Sequence, residues 1–173
     1  MPDRAIKRFR LLGVVLFVVT LVADRISKER LIALLDGQDP VQVTDFFNLV
    51  MVWNRGVSFG LFQQGDDSGR YLLTGFAVLV ALMLLVWMWR SSSRLAAAGL
   101  ALVAGGALGN AYDRVVLGAV ADFFDFHVSG YHFWAFNIAD SAITVGVGLL
   151  LLDAILGQST SAGSNARPAP EER

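Results

Sequence analysis

Four apolar segments constrain the fold of this chain most strongly. A helix of about 20 apolar residues is needed to cross the roughly 30 Å of hydrocarbon in a bilayer. The run Tyr71–Trp89 contains no charge, and Leu95–Tyr112 is rich in alanine and glycine. Leu11–Ala23 is shorter and crosses only if the helix continues beyond both of its ends. We therefore expect an all-α membrane protein with four transmembrane helices, about residues 8–27, 70–89, 95–113 and 137–156, in a single domain of residues 1–156.

The composition excludes several other classes of protein. Of the 173 residues, 55% are hydrophobic and 17% charged, and the mean hydropathy is +0.56; soluble domains carry about 25% charged residues. A net charge of −1 without a basic patch gives no reason to expect nucleic acid. The absence of cysteine excludes disulfides, thiolate metal sites and a cysteine nucleophile. We expect no metal, no cofactor and a monomer.

The first apolar segment has an alternative interpretation as a signal peptide, because a basic start precedes a short apolar run. The sequence Asp24-Arg25-Ile26-Ser27-Lys28 that follows it offers no convincing small-x-small cleavage site. Three further spans also follow. A retained helix is therefore favoured.

Basic residues predict the orientation. Cytoplasmic loops of membrane proteins are enriched in lysine and arginine, and such residues precede the first helix and fill the second connection: Arg4, Lys7, Arg8, Arg10, Arg90 and Arg94. Both termini are therefore expected in the cytoplasm, with the chain crossing the membrane several times. The first connection carries Asp36, Asp39, Asp45, Asp66 and Asp67, as suits a translocated loop.

The two outer connections are expected to be structured. Residues 41–62 alternate β-branched and aromatic residues with turn residues, which indicates short strands in a small extracytoplasmic β-sheet. Residues 120–136 are aromatic and interrupted by Gly130, so an interfacial segment and a further short strand both fit. The tail, residues 157–173, is rich in glycine, serine and proline and is predicted to be a disordered cytoplasmic tail.

Polar residues of the predicted spans gather at the outer face. They are Asp24 and Lys28 after the first helix, Asn110, Asp113 and Arg114 after the third, and Asn137 and Asp140 at the start of the fourth, with Asp122 in the loop between. A carboxylate within a span is costly to bury, and it normally has a partner or a function. Convergence from several helices predicts a single polar site.

Paired aspartates fit that site better than other chemistries. His127 and His132 lie in no nucleophile motif, and a His-Glu-x-x-His metal motif is absent. Two carboxylates that share one proton supply a base and an acid together, and Asp122 with Asp140 is the best pair.

A proton-coupled carrier and a non-catalytic scaffold are the rival classes. Carriers place their sites near the midplane and often contain repeats, neither of which is evident here.

Five motifs then resemble those of lipoprotein signal peptidase, or signal peptidase II, in the family's order and across nearly the whole chain except its tail. They are residues 24–28 (DRISK), 54–60 (NRGVSFG), 105–114 (GGALGNAYDR), 120–123 (VADF) and 136–141 (FNIADS). The family usually has Gln where Arg25 stands and Ala where Ser58 stands, which affects substrate positioning and not the reaction.

The resemblance implies a membrane aspartic endopeptidase that cleaves diacylglyceryl prolipoproteins on the amino side of the lipid-modified cysteine, with its active site toward the periplasmic face. The family's catalytic aspartates fall on Asp122 and Asp140. Substrate-binding or site-bracing positions fall on Asp24, Lys28, Asn54, Gly56, Gly109, Asn110, Asp113, Arg114, Asn137 and Ala139.

Simpler structural roles compete at several of these positions. Asp140 suits the first turn of a helix that Asn137 caps. Asp24 and Lys28 are four residues apart and pair on one helical face, or they contact substrate. Asn54 is an ordinary turn residue or a contact of the catalytic aspartate. Asp125 matches no motif position and is assigned a structural role.

Overall fold

The computed structural model describes residues 2–56 and 68–164. These residues form four helices and four strands. In chain order they are α1 (Pro2–Leu35), β1 (Val41–Thr44), β2 (Phe47–Asn54), α2 (Ser68–Arg90), α3 (Arg94–Val116), β3 (Val120–Val128), β4 (Tyr131–His132) and α4 (Ile138–Ser164).

Three of these helices are long and apolar enough to cross a membrane: Ser68–Arg90, Arg94–Val116 and, within α4, Ile138–Leu156. Their bounds lie within three residues of the predicted spans. The first helix is not among them, because charged residues flank its apolar stretch Leu11–Ala23 on both sides. With 34 residues, α1 is nevertheless about 51 Å long. Three of the four predicted spans therefore agree with the structure, and the fourth is not established.

Helix α3 is the centre of the bundle and packs against the other three helices. Its buried face consists largely of alanine and glycine, which lets helix backbones approach closely. The contact between Gly99 and Gly146 of α4 is reciprocal, because a Cβ on either residue would lie 2.7 Å from the carbonyl oxygen of the other. By contrast, α2 and α4 expose most of their apolar side chains, as helices facing lipid would.

The strands form one antiparallel sheet in the order β1-β2-β3-β4. Of the two interpretations of residues 120–136, the strand is the one observed: β3 has nine residues and pairs along β2. Ser129 and Gly130 form the two-residue turn into β4, with φ of 51° and 82°. Positive φ at both residues is the geometry whose twist matches that of antiparallel strands.

Two predicted segments differ from the structure or lie outside it. Helix α4 continues to Ser164, so the first eight residues of the predicted tail, 157–164, are helical; no proline interrupts the helix before Pro168. The prediction of disorder therefore does not hold for residues 157–164. Residues 165–173, and the predicted strand and motif residues 57–62 with Ser58 and Gly60, lie outside the described residues, as do Asp66 and Asp67.

Candidate active site

A fully buried lysine occupies the centre of the polar cluster. The Nζ of Lys28 lies 2.9 Å from Oδ2 of Asp24, 2.8 Å from Oδ2 of Asp113 and 2.9 Å from Oδ1 of Asn110. An ammonium group has three donors, so each finds an acceptor. Asp24 and Asp113 are themselves 2% and 1% exposed. The charge of Lys28 is thus shared by two buried carboxylates, and Arg25, at 3.6 Å from Asp113, supplies a second cation.

The same two carboxylates also bind backbone amides of neighbouring elements. Oδ1 of Asp24 accepts a hydrogen bond of 3.0 Å from the N–H of Ala139 in α4. Oδ2 of Asp113 accepts one of 3.3 Å from the N–H of Ala121 in β3. Gly109 leaves the space for this arrangement, because a Cβ there would lie 2.5 Å from Oδ2 of Asp24. The lysine cluster therefore joins α1 and α3 to the strand and helix that carry the other two aspartates.

Two asparagines connect this cluster to Asp122 and Asp140. Oδ1 of Asn110 accepts from Lys28 and from Nδ2 of Asn137, and its own Nδ2 donates to Oδ1 of Asp140 over 2.8 Å. Nδ2 of Asn137 also donates to Oδ1 of Asp122 over 2.6 Å. Asn110 and Asn137 together hold the two carboxylates in one hydrogen-bonded network.

Asp140 has the helix-capping role that its position suggests. The N–H of Asp140 donates to Oδ1 of Asn137 over 3.0 Å, and the N–H of Asn137 donates to Oδ2 of Asp140 over 3.2 Å. This reciprocal pair is a capping box, which satisfies donors at the start of α4. Capping orients the Asp140 carboxylate and leaves the side chain partly exposed, so it does not exclude a chemical role.

Asp122 lies in β3 and is 1% exposed. Oδ2 accepts a hydrogen bond of 2.9 Å from Nδ2 of Asn54 in β2. Burial raises the pKa of the Asp122 carboxyl from its usual value near 3.8 to about 6. The nearby charge of Asp140 also raises this pKa, whereas the amides of Asn54 and Asn137 and the charge of Lys28 lower it. A buried carboxyl close to a second carboxyl is the setting in which two acids hold one proton between them.

The turn after β2 lies against Arg114 of α3. The N–H of Gly56 donates to Oδ1 of Asn54 over 2.9 Å, and Gly56 has a φ of 89°, which favours glycine. A Cβ at Gly56 would lie 2.8 Å from Leu73 and 3.5 Å from the guanidinium of Arg114. Arg114 donates to the carbonyl of Asn110, and its buried Nε has no hydrogen-bond partner among the described residues.

The structure brings the twelve predicted site residues together. Asp24 and Lys28 do pair within α1, and Asn54 does contact Asp122. Asp125 is held separately by Nδ2 of Asn48 at 3.0 Å and by Nδ1 of His132 at 2.8 Å. Sequence reasoning missed the contribution of Arg25 and the link between Lys28 and Asp113, which are 85 positions apart in the chain. No local pattern signals a contact of that kind.

Comparison with known proteins finds a family model and relatives that match most of the chain. The family model for signal peptidase (SPase) II matches residues 16–156. A lipoprotein signal peptidase of Methylobacterium sp. (strain 4-46) is 46% identical over 86% of this chain and 92% of its own length. One from Methylocella silvestris is 39% identical over 94% of this chain and 95% of its own.

Two solved structures also resemble the fold. Both are described as bacterial membrane enzyme structures obtained by the in meso method, at 2.3 Å and 1.9 Å resolution. Each is 27% identical to this chain, with TM-scores of 0.65 and 0.69. The match to the first structure covers 92% of this chain and 94% of the solved chain. The match to the second covers 82% of this chain and 91% of the solved chain. The match to the family model and the identity to full-length relatives together show that the chain belongs to the signal peptidase II family of membrane proteases.

Proposed function

We propose that the chain is an aspartic endopeptidase that removes signal peptides from diacylglyceryl-modified prolipoproteins, and that Asp122 and Asp140 carry out the hydrolysis. The observation that carries this proposal is the shared amide network. Asn137 donates to Asp122 through its side chain and to Asp140 through its backbone. Within the described residues neither carboxylate has an ion pair within 4 Å, so no cation in contact holds both of them ionised.

The reaction follows from a pair that holds one proton. The ionised carboxylate takes a proton from a water molecule as the water oxygen attacks the scissile carbonyl carbon. The protonated carboxyl donates to the carbonyl oxygen, which stabilises the tetrahedral intermediate. As the C–N bond breaks, the departing amine of the cysteine takes the proton that the first carboxylate accepted, and the former carbonyl oxygen returns its proton to the second carboxylate as the C=O bond re-forms. Both products leave, and the pair again holds one proton.

The other site residues are assigned to positioning. Asn54, Asn110 and Asn137 orient the two carboxyl groups through the hydrogen bonds described above. Arg114 is assigned to orient the substrate backbone, because a guanidinium offers a fixed fork of donors and this one lies beside the turn at Gly56. Asp24, Lys28, Asp113, Gly109 and Ala139 hold the helices in register.

The proposed topology has four spans, with α1 as the fourth and both termini in the cytoplasm. Nε of Arg10 donates to the carbonyl of Trp89 over 2.8 Å, which joins the start of α1 to the end of α2 at the basic end of the bundle. Asp24, Asp113 and Asp140 lie toward the other end of the bundle, in α1, α3 and α4. This orientation assigns that end to the periplasmic face. The bond cleaved is on the amino side of the lipid-modified cysteine, whose acyl chains remain in the bilayer.

Cleavage of a purified diacylglyceryl prolipoprotein in vesicles tests the proposal. Mass spectrometry of the product identifies the bond, and EDTA tests for a metal. We expect a product that begins with the modified cysteine and a rate that EDTA leaves unchanged.

Replacement of the paired carboxylates tests their role in the same assay. Asp122→Asn and Asp140→Asn should each lower the rate by about 10²–10⁴-fold, the usual contribution of acid–base catalysis. Asp125→Asn is the matched control, because Asp125 lies three residues along the same strand with other partners; it should retain turnover. Normal turnover by either Asp122→Asn or Asp140→Asn contradicts the mechanism.

A further inference from the structure

The hairpin formed by β3 and β4 has two chemically different faces. Side chains alternate between the faces of a strand, and the pairs Val128 with Tyr131 and His127 with His132 set the register. The N–H of Phe133 donates to the carbonyl of Phe126 over 2.7 Å, which extends the pairing. One face therefore carries Phe126, Val128, Tyr131 and Phe133, all of them apolar or aromatic.

The opposite face of the hairpin is polar. Asp125 accepts hydrogen bonds from Asn48 and His132, and the rings of His127 and His132 stack with centroids 4.8 Å apart. The hydrogen bonds from Asn48 and His132 hold the pKa of Asp125 below its usual value despite its burial, so this face retains a carboxylate. The hairpin is amphipathic, and no polar partner covers its apolar face within the described residues.

The apolar face is exposed to an extent that is unusual for aromatic residues. Tyr131 is 83% exposed, Phe133 66% and Val128 63%. Trp134, which follows directly, is 83% exposed. Residues 126–137 also contain no Asp, Glu, Lys or Arg. Several exposed apolar side chains this close together in one hairpin mark a protein or membrane contact.

The position of the hairpin identifies the partner as lipid. The ring of Phe126 stacks on that of Phe136 with centroids 5.9 Å apart, and Phe136 is two residues before α4. Trp134 is four residues before the candidate span that begins at Ile138, so it lies within about 14 Å of the start of that span. Tyrosine and tryptophan are enriched at this depth, where a bilayer meets water.

We propose that the β3–β4 hairpin inserts the exposed side chains of its apolar face, Val128, Tyr131 and Phe133, into the outer-leaflet interface of the membrane, while Phe126 packs on Phe47 and Phe136 beneath them. The polar face, with His127 and His132, is directed to the headgroups and water. The same strand carries Asp122 six residues before Val128, so an inserted hairpin fixes the height of the carboxylate pair relative to the bilayer surface. A substrate whose acyl chains stay in the bilayer would then present its peptide at a constant depth.

Site-directed spin labelling tests the insertion without background mutations, because the chain contains no cysteine. Nitroxide labels at Tyr131→Cys and Val128→Cys report the apolar face, and a label at His132→Cys reports the adjacent polar face. Asp39→Cys is the water reference, since Asp39 is exposed between α1 and β1. Each full-length variant is placed in vesicles of phosphatidylethanolamine and phosphatidylglycerol, and collisions with oxygen and with a water-soluble nickel chelate are measured.

We expect labels at 128 and 131 to collide more with oxygen and less with nickel than labels at 132 and 39. Labels at 128 and 131 that are as accessible to nickel as the label at Asp39 overturn the proposal; a surface reserved for a protein partner gives that result in pure lipid. Val128→Cys removes little volume at an exposed position, so it provides a folded variant if Tyr131→Cys perturbs the hairpin.

Discussion

Two pairs of aspartates lie at the same end of the helical bundle, and they differ in what surrounds them. Asp24 and Asp113 flank the ammonium group of Lys28, and both bind it directly at 2.9 Å or less. Asp122 and Asp140 receive only neutral amide donors from Asn54, Asn110 and Asn137. A cation contacts the first pair directly, whereas in our proposal the second pair exchanges a proton. The identical side chain thus serves structure in one pair and, in our proposal, chemistry in the other.

Removing the charge of Lys28 should have the largest effect on the free energy of unfolding. Lys28→Met leaves Asp24 and Asp113 buried with only Arg25, 3.6 Å from Asp113, as a counter-charge. Breaking a buried ion pair in this way costs about 3–5 kcal/mol of unfolding free energy. Denaturation in detergent measures the loss.

The triple variant Lys28→Met, Asp24→Asn, Asp113→Asn is the matched control, because it removes both charges together with the lysine. It should recover much of the stability. A Lys28→Met protein as stable as wild type would show that the lysine does not hold the first pair in place.

Crowding the first pair should have a smaller effect. Gly109→Ala places a Cβ against Oδ2 of Asp24, and overpacking of this kind costs about 1–3 kcal/mol. Gly75→Ala in α2 is the control, since a Cβ there meets nothing within 4 Å; it should raise stability by up to about 1 kcal/mol. Equal melting temperatures for the two variants would contradict the close approach of α3 to Asp24.

Weakening the donors of the second pair should shift its titration with little loss of stability. The pKa of Asp122 is raised to about 6, so its proton is present below that pH and is lost above it. If catalysis needs one proton on the pair, kcat/KM falls as the pH rises through about 6. Asn54 favours the ionised form, so Asn54→Leu should move this decrease to higher pH by about one unit.

A pH profile of cleavage for wild type and Asn54→Leu checks the sign of that shift. A decrease that moves to lower pH, or a rate that rises through pH 6, contradicts the assignment of the shared proton. Asn48→Leu is the control, because Asn48 binds Asp125 and should leave the profile in place.

The sequence predicted the elements of the fold better than their ends. The uncharged run in α2 and the small residues of α3 indicate lipid-facing and buried helices directly. The end of α4 was missed because polar residues 158–164 continue a helix without any proline to stop it. Residues 120–136 stayed ambiguous because an aromatic run suits both a strand and an interfacial segment, and only the pairing with β2 distinguishes the two.

The sequence predicted which residues form the candidate site, but not the hydrogen bonds that join them. Motif resemblance located Asp122, which alone would be an ordinary loop residue, and the four-residue spacing predicted the pair of Asp24 with Lys28. The roles of Asn110 and Asn137 as links between the two pairs depend on contacts among α1, α3, β3 and α4. Such contacts leave no trace in local spacing.

The most direct test of the account compares the four single variants Asp24→Asn, Asp113→Asn, Asp122→Asn and Asp140→Asn, each measured for unfolding and for turnover per folded molecule. Asp122→Asn and Asp140→Asn should lose about 10²–10⁴-fold in turnover. Their free energies of unfolding should stay within about 2 kcal/mol of the wild-type value. Asp24→Asn and Asp113→Asn should lose about 3–5 kcal/mol of stability while their folded fraction keeps turning over. Stable Asp24→Asn or Asp113→Asn proteins without turnover, or active Asp122→Asn or Asp140→Asn proteins, would contradict the division between the two pairs.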